Sequence, residues 1–60
     1  MNSTELIRKL EQDGWELSHV RGSHHVYRHP IKPGHICLPH PRKDLGKGLA
    51  HALLKLSGLK

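Results

Sequence analysis

The residues best suited to chemistry are a basic turn, Arg21-Gly22-Ser23, and the two histidines that follow it, His24 and His25. Histidine changes its protonation near neutral pH, so it often serves as a general acid or base. Gly22 permits a tight turn, and Arg21 supplies positive charge beside the imidazoles. This combination predicts acid–base chemistry on a phosphate ester.

RNA is a phosphate ester whose cleavage needs few catalytic groups from a protein, because RNA carries its own nucleophile, the 2′-hydroxyl. A base of near-neutral pKa deprotonates that hydroxyl, while a cation steadies the charge that builds on the phosphate. Such cleavage requires neither a metal nor a cofactor, and we expect none. The same composition also suits a basic RNA-binding module with surface histidines, so both hypotheses remain open at this point.

Other chemistries are poorly supported by the spacing of the residues. Cys37 and His40 have a gap typical of metal ligands, but His25 and His29 would lie about 13 Å apart along one strand, too far to share an ion. We therefore predict no zinc site. The apolar neighbours of Cys37 favour a packed, inert thiol, although strand alternation allows it to point outward. No carboxylate pair and no glycine-rich phosphate loop is present.

Composition points to a small basic domain with a polyanionic partner. The chain of 60 residues has 10 lysines and arginines against 5 acidic residues, a net charge of +5. Such a surface favours nucleic acid, an acidic protein or an anionic membrane. A chain of this length makes one domain, residues 1–60, with a thin core. The single cysteine and the lack of a long apolar run predict a cytoplasmic protein.

The hydrophobic pattern predicts five elements. Asn2 and Glu5 have the spacing of a helix cap, and Gly14 is suited to ending that helix. Trp15, Leu17 and His19 alternate with polar residues, which indicates a strand with Trp15 as a core anchor. The predicted elements are a helix over 3–13, a strand from residue 15, strands over 24–29 and 35–38, and a helix that Asp44 caps and that buries Leu45, Leu49, Leu53 and Leu56.

The order helix, three antiparallel strands, helix predicts an α+β fold with both helices on one face of the sheet and the other face open. Alternation places His24 and His25 on opposite faces. Tyr27 shares a face with His25 and is the larger apolar body, so His25 is expected to face the helices. His24 then emerges on the open face beside Arg21 and Arg28, whose charges favour the neutral imidazole that a base requires.

Positive side chains around this histidine are expected to bind RNA phosphates. The proposed RNA-binding residues are Arg21, Ser23, Arg28, Arg42 and Lys43. They lie on the first turn, the second strand and the loop before the last helix.

Several segments in combination resemble the HicA (YcfA-like) mRNA interferase toxins over nearly the whole chain. These segments are Ser3–Leu10, Asp13-Gly14-Trp15, Gly22-Ser23-His24-His25, Tyr27-Arg28-His29-Pro30, Pro39-His40-Pro41 and Lys43-Asp44-Leu45. The resemblance implies an α-β-β-β-α fold like that of double-stranded-RNA-binding domains. It also implies the toxin of a type II toxin–antitoxin system, which cleaves mRNA independently of translation and is neutralised by a HicB-type antitoxin. In this family the catalytic residue is the first histidine of the Gly-Ser-His-His element, which corresponds to His24.

Overall fold

The computed structural model describes residues 1–59, which form a helix, three antiparallel strands and a second helix. The elements are α1 (Ser3–Gln12), β1 (Glu16–Arg21), β2 (His24–Arg28), β3 (His35–Pro39) and α2 (Lys47–Ser57). The predicted α+β fold and the order α-β-β-β-α are confirmed. Each strand begins and ends within one residue of its predicted limits, whereas α2 begins later than predicted.

Helix α1 begins at the cap that the sequence predicts. The Asn2 side-chain oxygen accepts a hydrogen bond from the Glu5 backbone N–H at 2.8 Å, which satisfies one of the free donors at the helix start. Leu6 and Leu10 are fully buried on the inner side of the helix. Gly14, with φ of 102°, then takes the left-handed conformation that turns the chain toward β1.

Strand β2 lies at the centre of the sheet, between β1 and β3. Directly opposite residues of an antiparallel pair point to the same face, and Tyr27 is opposite Ile36. These two side chains are buried against both helices, together with Leu6 of α1 and Leu53 of α2. Both helices therefore cover the same face of the sheet, and the other face is left open.

Strand β1 departs from simple alternation because it contains a bulge. Leu17 is opposite Tyr27, but His19, two residues later, is opposite Val26, so Ser18 is an extra residue without a partner. Because of the extra residue, the side chains two positions apart across the bulge point to opposite faces of the sheet. Leu17 thus lies on the helix side of the sheet and His19 on the open side. The expectation that they share a face is wrong, whereas Trp15 is the predicted core anchor, only 2% exposed.

The apolar stripe predicted for the last helix is only partly correct, because Leu45 and Leu53 are buried, whereas Leu49 and Leu56 are exposed. Leu45 is buried as predicted, but it precedes the helix, so its position does not set the helical period. The N-cap of α2 is Gly46 and not the predicted Asp44. The Asp44 carboxylate instead accepts a hydrogen bond from the Gly46 N–H, before the helix begins. The buried residues of α2 are Ala50, Leu53 and Ser57, while Leu49, Ala52 and Leu56 face solvent. Within residues 1–59, neither helix has the length and hydrophobicity needed to cross a lipid bilayer.

Candidate active site

The turn before His24 is a two-residue hairpin loop, Gly22-Ser23, between β1 and β2. Gly22 has φ of 61°, a left-handed conformation that glycine adopts at little steric cost. Arg21, predicted as part of the turn, is instead the last residue of β1 and lies directly opposite His24. The turn is held from the β3 side, because the His40 backbone N–H donates to the Ser23 carbonyl at 2.8 Å.

The open face of the sheet carries a hollow of about 550 Å³, a size suited to one small ligand or nucleotide. Its lining consists of His19, Arg21, His24, Val26, Arg28, His35 and Cys37. Across the sheet, the rows of directly opposite residues are Arg21–His24, His19–Val26–Cys37 and Arg28–His35. None of the lining side chains is a carboxylate, so the hollow offers an anion only neutral or positive partners.

Three of the predicted site residues, Arg21, His24 and Arg28, meet in this hollow. Each is exposed. Arg21 lies directly opposite His24 across the strand pair, whereas Arg28 lies four residues along β2, about 13 Å away at 3.3 Å per residue. The imidazole is therefore exposed, with Arg21 as its cationic neighbour and Arg28 farther along the same face.

His25 occupies the opposite face, as predicted. It is opposite Leu38, a fully buried core residue. The His25 ring lies edge-on to the His40 ring, with centroids 4.8 Å apart and planes at 77°. Both rings are half-buried. His25 therefore belongs to the packing between the hairpin and the loop after β3.

The loop after β3 is fastened to the start of α1 through Ser3, which is only 1% exposed. The Ser3 hydroxyl oxygen accepts from the Arg42 backbone N–H at 2.9 Å and lies 2.7 Å from His40 Nδ1. Because the hydroxyl has already accepted one hydrogen bond, donation to Nδ1 satisfies both groups. Nothing in the sequence near Ser3 indicates a partner 37 residues away, so this contact could not be predicted.

Arg42 and Lys43 do not lie in the hollow with His24. They line a separate shallow depression beside the start of α1, with Asn2, Thr4 and Pro41 among their neighbours. Ser23 is exposed at the tip of the hairpin, next to the hollow but outside its lining. The structure thus brings together the predicted residues on β1 and β2 and separates those of the loop after β3.

Four lining residues of the hollow are absent from the sequence-based prediction of the site: His19, Val26, His35 and Cys37. His19 was assigned to the wrong face because the bulge at Ser18 has no clear sequence signal. Cys37 is exposed on the open face, which contradicts the expectation of a packed thiol. Side chains alternate along a strand, and Ile36 and Leu38 are both buried, so Cys37 between them points to the open face.

No three histidine, cysteine or acidic side chains converge as a metal site in the part of the chain that the structure describes. Cys37 lies on the open face, whereas His40 packs on the helix side against His25. The gap that looked like ligand spacing therefore separates two side chains on different sides of the sheet.

Comparison with known proteins gives two findings. A family model described as the HicA toxin of bacterial toxin–antitoxin systems matches residues 3–59. A solved structure titled "HicA3 and HicB3 toxin-antitoxin complex" contains a chain similar to this one, with 39% sequence identity and a TM-score of 0.83 over 97% of this chain and 94% of that chain. A search of curated proteins finds no match.

Proposed function

The chain belongs to the HicA toxin family of bacterial toxin–antitoxin systems, and we propose that it acts as an endoribonuclease that cleaves mRNA with His24 as its general base. The observation that carries the proposal is the position of His24: exposed, directly opposite Arg21, in a hollow whose lining includes Arg28 and no carboxylate. An exposed imidazole with a cation opposite it suits proton transfer beside a bound phosphate.

The proposed reaction uses the nucleophile within the RNA. His24 takes the proton of a 2′-hydroxyl, and the 2′-oxygen forms a bond to the adjacent phosphorus. Arg21, directly opposite His24, stabilises the negative charge that grows on the non-bridging oxygens, and Arg28 binds RNA farther along the same face. The bond from phosphorus to the 5′-oxygen then breaks, which leaves a 2′,3′-cyclic phosphate and a 5′-hydroxyl end. Because the attacking oxygen comes from the substrate, we expect cleavage to proceed in excess chelator.

A HicB-type antitoxin is the proposed protein partner. The similar solved structure is titled as a HicA3–HicB3 complex, and that pairing is extended here to this chain. The net charge of +5 favours an acidic surface on the partner. An antitoxin that covers the hollow on the open face would block access of RNA to His24.

The test compares His24→Ala with His25→Ala, two adjacent substitutions on opposite faces. His24→Ala is expected to fold, to bind the antitoxin and to lose cleavage by about 10²–10⁴-fold in single-turnover assays, as for a lost general base. His25→Ala is expected mainly to lower the thermal midpoint, because its ring packs on His40. RNA with a 2′-deoxy residue at the cleaved position should resist the wild-type protein.

The outcomes separate the two hypotheses for the chain. Wild-type protein that binds RNA but does not cut it would favour a non-catalytic RNA-binding module of the same fold. A folded and fully active His24→Ala protein would remove His24 from the role of base while leaving an endoribonuclease.

A further inference from the structure

We propose that His19 is the proton donor that completes RNA cleavage, acting on the 5′-oxygen while His24 acts on the 2′-hydroxyl. The inference rests on the proposed endoribonuclease function and adds a second catalytic residue to it. Departure of the 5′-oxygen as an alkoxide is unfavourable near neutral pH, so a positioned acid accelerates bond breaking. The open face contains a second histidine in the position that such an acid needs.

The strand register places His19 diagonally across from His24. Arg21 is directly opposite His24, and His19 follows two residues away on the same face of β1, opposite Val26. Diagonal neighbours on adjacent strands lie about 7–8 Å apart. Arg21, His24, Val26 and His19 therefore form the corners of a square on the open face, with the two histidines at opposite corners.

This separation fits the geometry of the reaction. The attacking 2′-oxygen and the leaving 5′-oxygen lie on opposite sides of the phosphorus, and each must come within hydrogen-bond reach, about 3 Å, of its own imidazole. Two imidazoles on opposite sides of one phosphate are therefore several ångströms apart, as diagonal neighbours are. Arg21, at a third corner, lies next to both histidines and is placed to contact the non-bridging oxygens.

The other histidines are occupied or badly placed for this role. His25 and His40 pack against each other on the helix side. His29 uses both ring nitrogens: Nδ1 accepts from the Ile31 and Lys32 backbone N–H groups, so Nε2 carries the proton and donates to the Asp13 carbonyl at 2.7 Å. Their commitment to structural contacts leaves none of these three free to protonate a leaving group in the hollow.

His35 shares the open face but lies too far from His24. It is opposite Arg28, four residues along β2, which corresponds to about 13 Å at 3.3 Å per residue. One phosphate does not span that distance. His51 is on α2, which covers the other face of the sheet.

The proton balance of the proposed step is closed. His24 gains the proton of the 2′-hydroxyl as the new oxygen–phosphorus bond forms. His19, protonated at the start, gives its proton to the 5′-oxygen as the old bond breaks. The charged and titratable groups that share this face are Glu16, Arg21, His24, Arg28, His35 and Cys37.

The decisive experiment uses two RNA substrates with the same sequence. One is ordinary RNA; the other has sulfur in place of the 5′-bridging oxygen at the cleaved linkage, a leaving group that needs no protonation. His19→Ala is expected to cut ordinary RNA about 10²–10⁴-fold more slowly than wild type. On the sulfur substrate, it should match wild type. His24→Ala should be slow on both substrates, since the 2′-hydroxyl must still lose its proton.

Val20→Ala is the matched control. Val20 follows His19 on β1 and lies opposite His25, so it is on the helix side of the sheet, outside the hollow, and it is exposed. It should cut both substrates at rates near wild type. The pH profile is a second readout: wild type should show a falling rate at high pH as His19 deprotonates, and His19→Ala should lose this alkaline limb. Equal thermal midpoints establish that the variants are folded.

The results distinguish failure of this inference from failure of the proposed function. If His19→Ala is equally impaired on both substrates, or is unimpaired on ordinary RNA, His19 is not the proton donor, although His24-dependent cleavage stands. If wild-type protein cuts neither substrate, the endoribonuclease proposal fails first, and the donor assignment fails with it.

Discussion

Asp13, at the end of α1, is partly exposed and forms hydrogen bonds with residues from several segments of the chain. Its carboxylate accepts hydrogen bonds from Lys32 Nζ and from Trp15 Nε1, and its carbonyl accepts from His29 Nε2. Lys32 also donates to the Ser57 carbonyl at the end of α2, at 3.0 Å. Asp13 therefore links the end of α1 to Trp15 and to the loop after β2, and Lys32 extends this link to the end of α2.

This arrangement predicts a pH-dependent stability. The hydrogen bond from Lys32 holds the pKa of Asp13 below its ordinary value, and burial only partly opposes this effect. A carboxylate with a lowered folded-state pKa contributes stability above its unfolded-state value, about 3.9, and loses it as pH falls through the folded-state value. Asp13→Asn should therefore lower the free energy of unfolding at pH 7, and the deficit should shrink as pH falls below the unfolded-state value.

Urea unfolding of Asp13→Asn and wild type at several pH values measures this difference. Glu16→Gln, which removes an exposed carboxylate from β1, is the matched control and should show a small effect throughout. A deficit of Asp13→Asn that stayed constant down to pH 2.5 would mean that the ion pair with Lys32 is not its source.

The elements show which structural features a sequence can predict. Local signals were enough for α1, because Asn2, Glu5 and Gly14 are cap and stop residues that act on their immediate neighbours. They were also enough for the hairpin at Gly22 and for the inward-facing Trp15. Non-local features escaped prediction. The bulge at β1 depends on pairing with β2, and the buried contact of Ser3 depends on a loop 37 residues away.

Helix α2 offers a direct test of its corrected phase. Leu53 is 5% exposed and packs in the core, whereas Leu56, assigned to the same stripe from the sequence, is 71% exposed. Leu53→Ala should cost about 2–5 kcal/mol of unfolding free energy, since it leaves a cavity in the core. Leu56→Ala, one turn away, should change it by no more than about 0.5 kcal/mol, as is usual at a surface position.

Chemical denaturation of the two leucine variants gives both values with the same substitution chemistry. Because the protein is small, the Leu53→Ala protein is expected to be close to unfolded, so residual secondary structure at low denaturant should be compared as well. Equal costs at the two positions would contradict the orientation of α2.

In the molecule as a whole, the two faces of the sheet have different roles. Both helices cover one face and supply the core, so the other face of the sheet is free to carry Arg21, His24 and Arg28 in an open hollow. The hairpin that presents His24 is supported from behind, through His40 and Ser3, by the loop after β3 and the start of α1. A rigid support of this kind keeps a small site in position without a large core.

The distribution of positive charge predicts how RNA binding should depend on salt. Each phosphate that a protein neutralises on a single strand adds about 0.7 to the slope of log affinity against log salt concentration. Arg21 and Arg28 lie in the hollow, whereas Arg42 lies in the separate depression near α1. In the His24→Ala background, in which cleavage is expected to be slow, Arg28→Ala should weaken binding of single-stranded RNA and reduce the slope by about 0.7, with little change in sequence preference. Arg21→Ala should do the same.

Arg42→Ala then measures how far the bound RNA extends. An unchanged slope would mean that the RNA contacts only the hollow, and a reduced slope would mean that it also passes the hairpin toward Lys43. An Arg28→Ala protein whose salt dependence equals that of its parent would remove Arg28 from the phosphate-binding set, and equal salt dependence of both Arg28→Ala and Arg21→Ala would exclude the open face as the phosphate-binding surface.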